Sequence, residues 1–408
     1  MTDQNWQGNQ RRAVATVCSL FFLVYLGNSL WLSLFPNHLL RLGIDPLMIG
    51  VILMIYNASL SLGYSPSGRL SDRVGRKPLI VAGSSLLAGG TLWLSLSSDV
   101  ETTVLAVTVG GIGLALLTPS GNALISEVVS GRGSGSVFAI FQIAILSASV
   151  VGSYAAGTLA EGLSFSRMFV FSAVITGVAA VLGYVMVSET LTGKAGGYAS
   201  AVRDSLRSSV TGTLSMLRTN RELALLAGAL VIHSMGFSMI NPFVPLFAEK
   251  GILLDISHVG MIISLWNAGV AVAQIPSGHL TDRFGARPLL LTHFVLSSFS
   301  WTLYALSWNL ESGIATVFFF GIVGALDMPA RRTIMIEYAT AEAGKATIIG
   351  SLDAITGMVG IVGPLIGGVV WEQMGYSAPF HLASFVNAFA CVPLLAIMRS
   401  GARRKPMS

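Results

Sequence analysis

Charge is what this sequence has least of. Only 11% of its 408 residues are Asp, Glu, Lys or Arg, against roughly 25% in soluble domains, and that deficit excludes a string of soluble domains. Cysteine is also scarce. Cys18 and Cys391 are the only two and both fall in apolar runs, so neither a disulfide framework nor a CxxC metal site can be built. GxSxG, HExxH and the Walker loop are absent too, which removes the common signatures of hydrolysis and ATP drive. The expectation is a protein that is not an enzyme, with no cofactor, no metal and no clustered His or Cys ligands. A formal charge of +5 could point to nucleic acid, but the basic residues sit in short segments between apolar runs, and that distribution excludes it.

What is abundant is apolar: 53% of the residues, with a mean hydropathy of +0.73. Twelve runs, at 13–37, 46–68, 78–97, 102–126, 136–160, 165–188, 222–248, 258–278, 288–308, 312–336, 346–370 and 377–398, approach or exceed the ~20 residues that cross a bilayer. They predict an all-α membrane protein of twelve transmembrane helices. The first run follows Arg11-Arg12, yet it is longer than a signal-peptide core and lacks a small-x-small cleavage site, so it reads as a retained helix.

Nineteen of the 24 basic residues fall in one set of loops, and the opposite set holds only Arg41, Arg167 and Lys250. The positive-inside rule then places both termini in the cytoplasm. The expected location is the cytoplasmic (plasma) membrane, as a multi-pass protein in lipid and a monomer. The stretch 189–221 separates an N-terminal bundle, 1–188, from a C-terminal bundle, 222–408. Within it Val202, Leu206, Val210, Leu214 and Leu217 recur beside Arg203, Arg207 and Arg218, the pattern of an amphipathic helix on the membrane surface.

The two bundles repeat. Gly68-Arg-Leu-Ser-Asp72-Arg73-Val-Gly75-Arg76-Lys77 returns 210 residues later as Gly278-His-Leu-Thr-Asp282-Arg283-Phe-Gly285-Ala-Arg287, and the same offset matches Asn57 with Asn267, Pro119 with Pro329 and Glu127 with Glu337. An even number of spans per half makes the repeats parallel, an architecture that holds its substrate near the bilayer midplane.

The decapeptide at 68–77 resembles motif A of the major facilitator superfamily, and 278–287 its second copy. The resemblance covers the whole chain. It implies two pseudo-symmetric six-helix bundles that transport by alternating access, with spans one, four, seven and ten lining the cavity. It also implies a gating latch in which Asp72 faces the start of span eleven and Arg73 pairs with Glu127, mirrored by Asp282, Arg283 and Glu337. Gly68 and Gly75 suit tight turns and close helix approach, and Pro78 suits a first helical turn.

Ionisable groups at membrane depth are costly and face a partner or a cavity. Asp327 and Arg331, four residues apart in span ten, share a helix face, and Arg332 falls at the depth of Asp353 in span eleven. Their equivalents in span four, Gly121 and Asn122, are uncharged, so the pairs read as a substrate and proton-coupling site. In that reading desolvation and arginine pull the Asp327 proton affinity in opposite directions. His233, in span seven, is a further proton carrier candidate. Asn28, Asn57, Gln142, Asn267 and Gln274 are candidate cavity residues, and Met235, Phe237, Met239 and Phe243 suit an adaptable apolar pocket.

Gly363-Pro364-x-x-Gly367-Gly368 resembles the antiporter motif of drug:proton exporters. That branch carries it in span five, which here reads Val151-Gly-Ser-Tyr-Ala-Ala-Gly157 without proline. The sequence therefore points to a secondary transporter of a small amphipathic or hydrophobic compound, coupled to protons and directed outward. The alternatives are a proton-linked importer of an organic anion held by the intramembrane arginines, and a non-transporting receptor with the same fold.

Overall fold

The computed structural model describes residues 3–128, 134–189, 217–338 and 345–403. The described residues are all-helical: α1 Asp3–Leu32, α2 Phe35–Arg41, α3 Pro46–Val74, α4 Arg76–Leu96, α5 Val100–Val128, α6 Ser134–Gly162, α7 Phe165–Met186, α8 Arg221–Ile240, α9 Val244–Lys250, α10 Ile256–Phe284, α11 Ala286–Ala305, α12 Leu310–Gly324, α13 Asp327–Glu337, α14 Lys345–Met374, α15 Ala378–Ala388 and α16 Cys391–Arg403. Most of the amphipathic segment predicted within 189–221 lies outside the described residues.

Among the described residues, eleven helical stretches are long and apolar enough to cross a membrane. The expected ninth span, α11, is not one of them. It is a 20-residue helix in the right place, but Arg287, His293 and five Ser or Thr residues dilute its hydropathy.

Four expected spans are broken, and one rule accounts for all four. A helical proline clashes with the carbonyl four residues earlier. Pro36 does this to Leu32 at the end of α1, Pro245 to Asn241 between α8 and α9, Pro329 to Ala325 between α12 and α13, and Pro393 to Phe389 between α15 and α16. Pro66, Pro119, Pro276 and Pro364 instead lie inside helices that stay continuous.

The chain folds as two compact units. One is Met1–Leu42, Ile55–Leu206 and Ile256–Ser264; the other is Gly43–Met54, Arg207–Asp255 and Leu265–Ser408. In the first unit, α4 packs on α5 and α7 around Val24, Leu87, Leu117 and Phe141. Glycines let the α4 and α5 backbones touch. A methyl carbon at Gly90 would stand 2.7 Å from the Gly110 nitrogen, and one at Gly83 would stand 2.6 Å from the Gly113 carbonyl oxygen. Small residues at such contacts are the usual device for close helix approach in lipid.

The second unit gathers Leu226, Leu230, Phe294, Ile334 and Leu394 into its core. Gly363 and Gly367 of the antiporter-like segment let α14 approach Ser238 and Met239 of α8. Met239 and Phe243 are thus core residues, 1% and 0% exposed. Where α13 ends, burial pushes the Tyr338 hydroxyl up to about 12. It stays neutral and donates to the Glu222 carboxylate at 3.3 Å.

Candidate functional site

The Pro329 break sets up the site. It ends α12 at Gly324 and restarts the chain as α13 with Asp327 in its first turn, where free backbone N–H groups and the helix dipole favour a carboxylate. One turn on, Arg331 brings its Nη2 to 2.5 Å from Asp327 Oδ2, with side chains 19% and 14% exposed. The pair is incompletely satisfied. Among the described residues, Asp327 Oδ1 and Arg331 Nε are both buried without a hydrogen-bond partner.

His233 comes from α8 and His293 from α11. Their Nε2 atoms are 3.2 Å apart, and a carboxylate oxygen of Asp327 lies within 4.8 Å of the histidine nitrogens. The other ring nitrogens are engaged: His233 Nδ1 with Asn387 Oδ1 at 2.8 Å, His293 Nδ1 with the Val323 carbonyl at 2.8 Å. Phe294 and Trp301 stack on His233 at 5.0 and 5.8 Å between ring centroids.

These groups line a pocket of about 260 Å³ inside the second unit, with Phe237, Trp266, Trp301 and Phe320 as its aromatic side and Asn267 and Ser297 as further polar lining. Trp266 and Phe320 stack at 4.9 Å, and Phe237 meets both rings edge-on at 6.1 and 6.4 Å. Tight aromatic packing gives the pocket rigid, polarisable walls.

The structure sorts the sequence candidates. Asp327, Arg331, His233 and Asn267 come together in the pocket. Arg332 and Asp353 pair at 2.7 Å but lie outside its lining, as does Gln274. Asn28, Asn57 and Gln142 belong to the other unit, where Asn28 Oδ1 is buried and unpartnered.

One expectation needs correction. The absence of clustered ligands read from the sequence does not hold, because helix packing joins His233 to His293 and Asp327. His293 and Asn387 are the residues that sequence reading missed. The 210-residue offset offered a signal: His293, Asp327 and Arg331 stand where the first half has Gly83, Leu117 and Gly121. In that half Leu117 is fully buried, and the Phe21 ring occupies the space a side chain on Gly121 would need.

The family model of the Major Facilitator Superfamily matches this sequence over residues 17–251 and 226–407. The chain belongs to that superfamily. It is therefore a multi-pass membrane transporter of small molecules rather than an enzyme.

The transporter is 25% identical to the multidrug resistance protein MdtG of Proteus mirabilis, over 90% of this chain and 91% of that protein. It is likewise 25% identical to the multi-drug resistance efflux pump PmrA of Streptococcus pneumoniae, over 96% of each. Among solved structures it matches the nucleoside transporter NupG with a TM-score of 0.79 at 12% identity, covering 94% of this chain and 99% of that one. Against the human organic anion transporter MFSD10 the TM-score is 0.69 at 17% identity, with the same coverage. At these identities the structural matches bear on the fold.

The superfamily's motif A adopts a defined geometry here. Arg76 is only 6% exposed. It donates from Nε and Nη2 to Glu127 Oε1 at 3.1 and 2.7 Å and pairs with Asp72 at 2.7 Å. Arg76 is thus on Glu127, a contact the resemblance did not assign to it. In the second copy the position of Arg76 is Ala286, and the next residue, Arg287, bonds Glu337 at 3.1 Å. Asp282 and Arg283 are exposed, with the Arg283 guanidinium 5.4 Å from the Phe284 ring centroid.

Gly75 and Gly68 differ. A Cβ at Gly68 would meet nothing within 4 Å among the described residues. Gly75 has φ +115°, and the Glu189 carboxylate occupies the space its Cβ would need. Glu189 accepts the Arg76 and Lys77 backbone N–H groups at 3.0 and 3.1 Å. A remote carboxylate thereby supplies the N-terminal cap of α4 that glycine lacks.

Gly75→Ala should lose both the backbone conformation, worth about 1–3 kcal/mol in this extended positive-φ region, and the cap, worth about 1 kcal/mol. Thermal unfolding of the purified variant checks this. An unchanged midpoint would show that the loop relaxes freely.

Proposed function

We propose that this transporter expels small amphipathic compounds by alternating access, driven by the proton gradient, with both termini in the cytoplasm and a monomer as the working unit. The observation that carries the reading is the pocket of the second unit. Four aromatic rings offer an apolar compound flat surfaces, while the ion-paired Asp327 and Arg331 supply the charged part of the lining for its polar end. Ionisable groups at membrane depth mark ion and substrate paths, and Asp327, Arg331 and His233 all line this pocket. The names of the relatives MdtG and PmrA support multidrug efflux as the direction and substrate class.

Arg332 and Asp353 sit apart from the pocket and are assigned to joining α13 and α14. The set Asp72, Arg76 and Glu127 is assigned to gating, as the interaction that must loosen when motif A moves. A second reading is import of an organic anion, favoured by the guanidinium of Arg331 in the pocket lining.

Everted membrane vesicles energised to an acidic interior distinguish the two. Efflux predicts gradient-dependent accumulation of lipophilic cationic dyes, reduced at least 10-fold by Phe237→Ala with Trp266→Ala, since each large aromatic removes about 2 kcal/mol of apolar contact. Gradient-driven movement of organic anions alone, abolished by Arg331→Ala, would establish import instead. No solute flux under either gradient would leave the receptor reading.

A further inference from the structure

The hydrogen bonds around the two histidines fix where their protons are. Asn387 Nδ2 donates to the Phe294 carbonyl at 2.8 Å and to Ser298 Oγ at 2.9 Å, so its Oδ1 is the atom turned to His233. An amide oxygen only accepts, and the His233 proton is therefore on Nδ1. The same logic applies to His293, whose Nδ1 faces the Val323 carbonyl. Each Nε2 then carries a lone pair, and the two lone pairs confront one another at 3.2 Å.

Asp327 adds a third acceptor. Its Oδ2 is held by Arg331, and its Oδ1 has no donor. A ring nitrogen of each histidine and a carboxylate oxygen, from three helices, lie within 4.8 Å of one another, and the bonds above fix no proton among them. Such an arrangement repels itself unless a cation lies between its members.

Geometry and chemistry select the cation. A tetrahedral ion with bonds of about 2.0–2.1 Å to nitrogen holds two imidazole nitrogens about 3.3–3.4 Å apart, close to the spacing observed. Metal-binding histidines donate their second N–H to a carbonyl or carboxylate, which orients the ring. Both histidines here do so. Imidazole donors favour zinc-class ions over magnesium or calcium, and a His, His, carboxylate set leaves one coordination position open.

We infer that His233, His293 and Asp327 bind one divalent transition-metal ion, of the zinc class, whose fourth position opens into the pocket. Arg331 already offsets the Asp327 charge, so the bound ion favours an anionic oxygen or nitrogen donor in that position, from water or from a substrate with a chelating group. The first half of the fold has Gly83 and Leu117 in place of His293 and Asp327, so the architecture itself does not require these ligands. The inference concerns what the pocket binds and does not depend on which gradient drives transport.

The full chain, purified in detergent and stripped with chelator, is titrated with Co2+ while the visible spectrum is recorded, and with Zn2+ by calorimetry. The expected result is one ion per chain, tetrahedral Co2+ bands, displacement of Co2+ by Zn2+, and a higher unfolding temperature with Zn2+ present. His293→Gln and His233→Gln should each weaken binding more than 10-fold, and Asn387→Leu, which removes the orienting bond along with those to the Phe294 carbonyl and Ser298, by about 10-fold. Unfolding temperatures without metal show whether each variant is folded. Absence of the Co2+ bands in the folded wild-type protein, or equal affinity in a folded His293→Gln variant, would overturn the proposal and leave the pair holding a proton alone. Failure of dye efflux in vesicles with metal binding intact would fault the transport reading instead.

Discussion

Arg331→Ala should destabilise the protein by about 3–5 kcal/mol, the usual consequence of leaving a buried charge without its partner. The size of the effect follows from where Asp327 sits. It is 14% exposed and its nearest cation is Arg331, 2.5 Å away, so truncation strands a carboxylate among aromatic rings. Asp327→Leu combined with Arg331→Met should restore most of that loss, because replacing a whole buried pair with apolar groups of similar volume is close to neutral. Leucine is also what the first half carries in the position of Asp327. Transport should remain lost in the double variant. Thermal unfolding beside vesicle flux reads the two quantities separately, and a double variant that transports would show that the pair is only structural.

The second large effect is steric. Gly90→Val should lower stability by about 3 kcal/mol, the upper end for overpacking a close contact, because the added carbon would press on the Gly110 nitrogen and the Ala106 carbonyl oxygen at 2.7 and 2.8 Å. Neighbouring Gly89 is exposed and a side chain there would meet nothing. Gly89→Val, with the same loss of glycine and the same change in helix propensity, should fall within about 0.5 kcal/mol of wild type. Yield of monodisperse protein and unfolding temperature compare them directly. Equal behaviour of the two variants would mean that α4 and α5 separate without penalty.

Much of this architecture was readable from residue order, since lipid imposes its demand on local composition. Apolar runs announce spans, and the repeated decapeptide announces two halves. α11 was readable by position despite its hydroxyls. The helix breaks were not foreseen, although Pro36, Pro245, Pro329 and Pro393 each mark one; Pro66 and Pro364 lie in unbroken helices, so proline alone does not decide.

The candidate site was legible only as far as local spacing reaches. Asp327 and Arg331 are four residues apart, and helical geometry alone makes them neighbours. His293 is 60 residues from His233, and their meeting depends on how α11 rotates against α8, which periodicity does not encode. Glu189 was hidden differently. It follows an apolar run as one acid among loop residues, and its role appears only once α7 returns the chain to the start of α4.

That return has a mechanical consequence. Glu189 is the last described residue before 190–216, so the segment joining the two halves departs from the carboxylate that caps α4, immediately beside the buried Arg76. Glu189 therefore ties the chain beyond α7 to the backbone of the residue whose side chain grips Glu127, so displacing that one carboxylate alters the surroundings of the motif A ion pair.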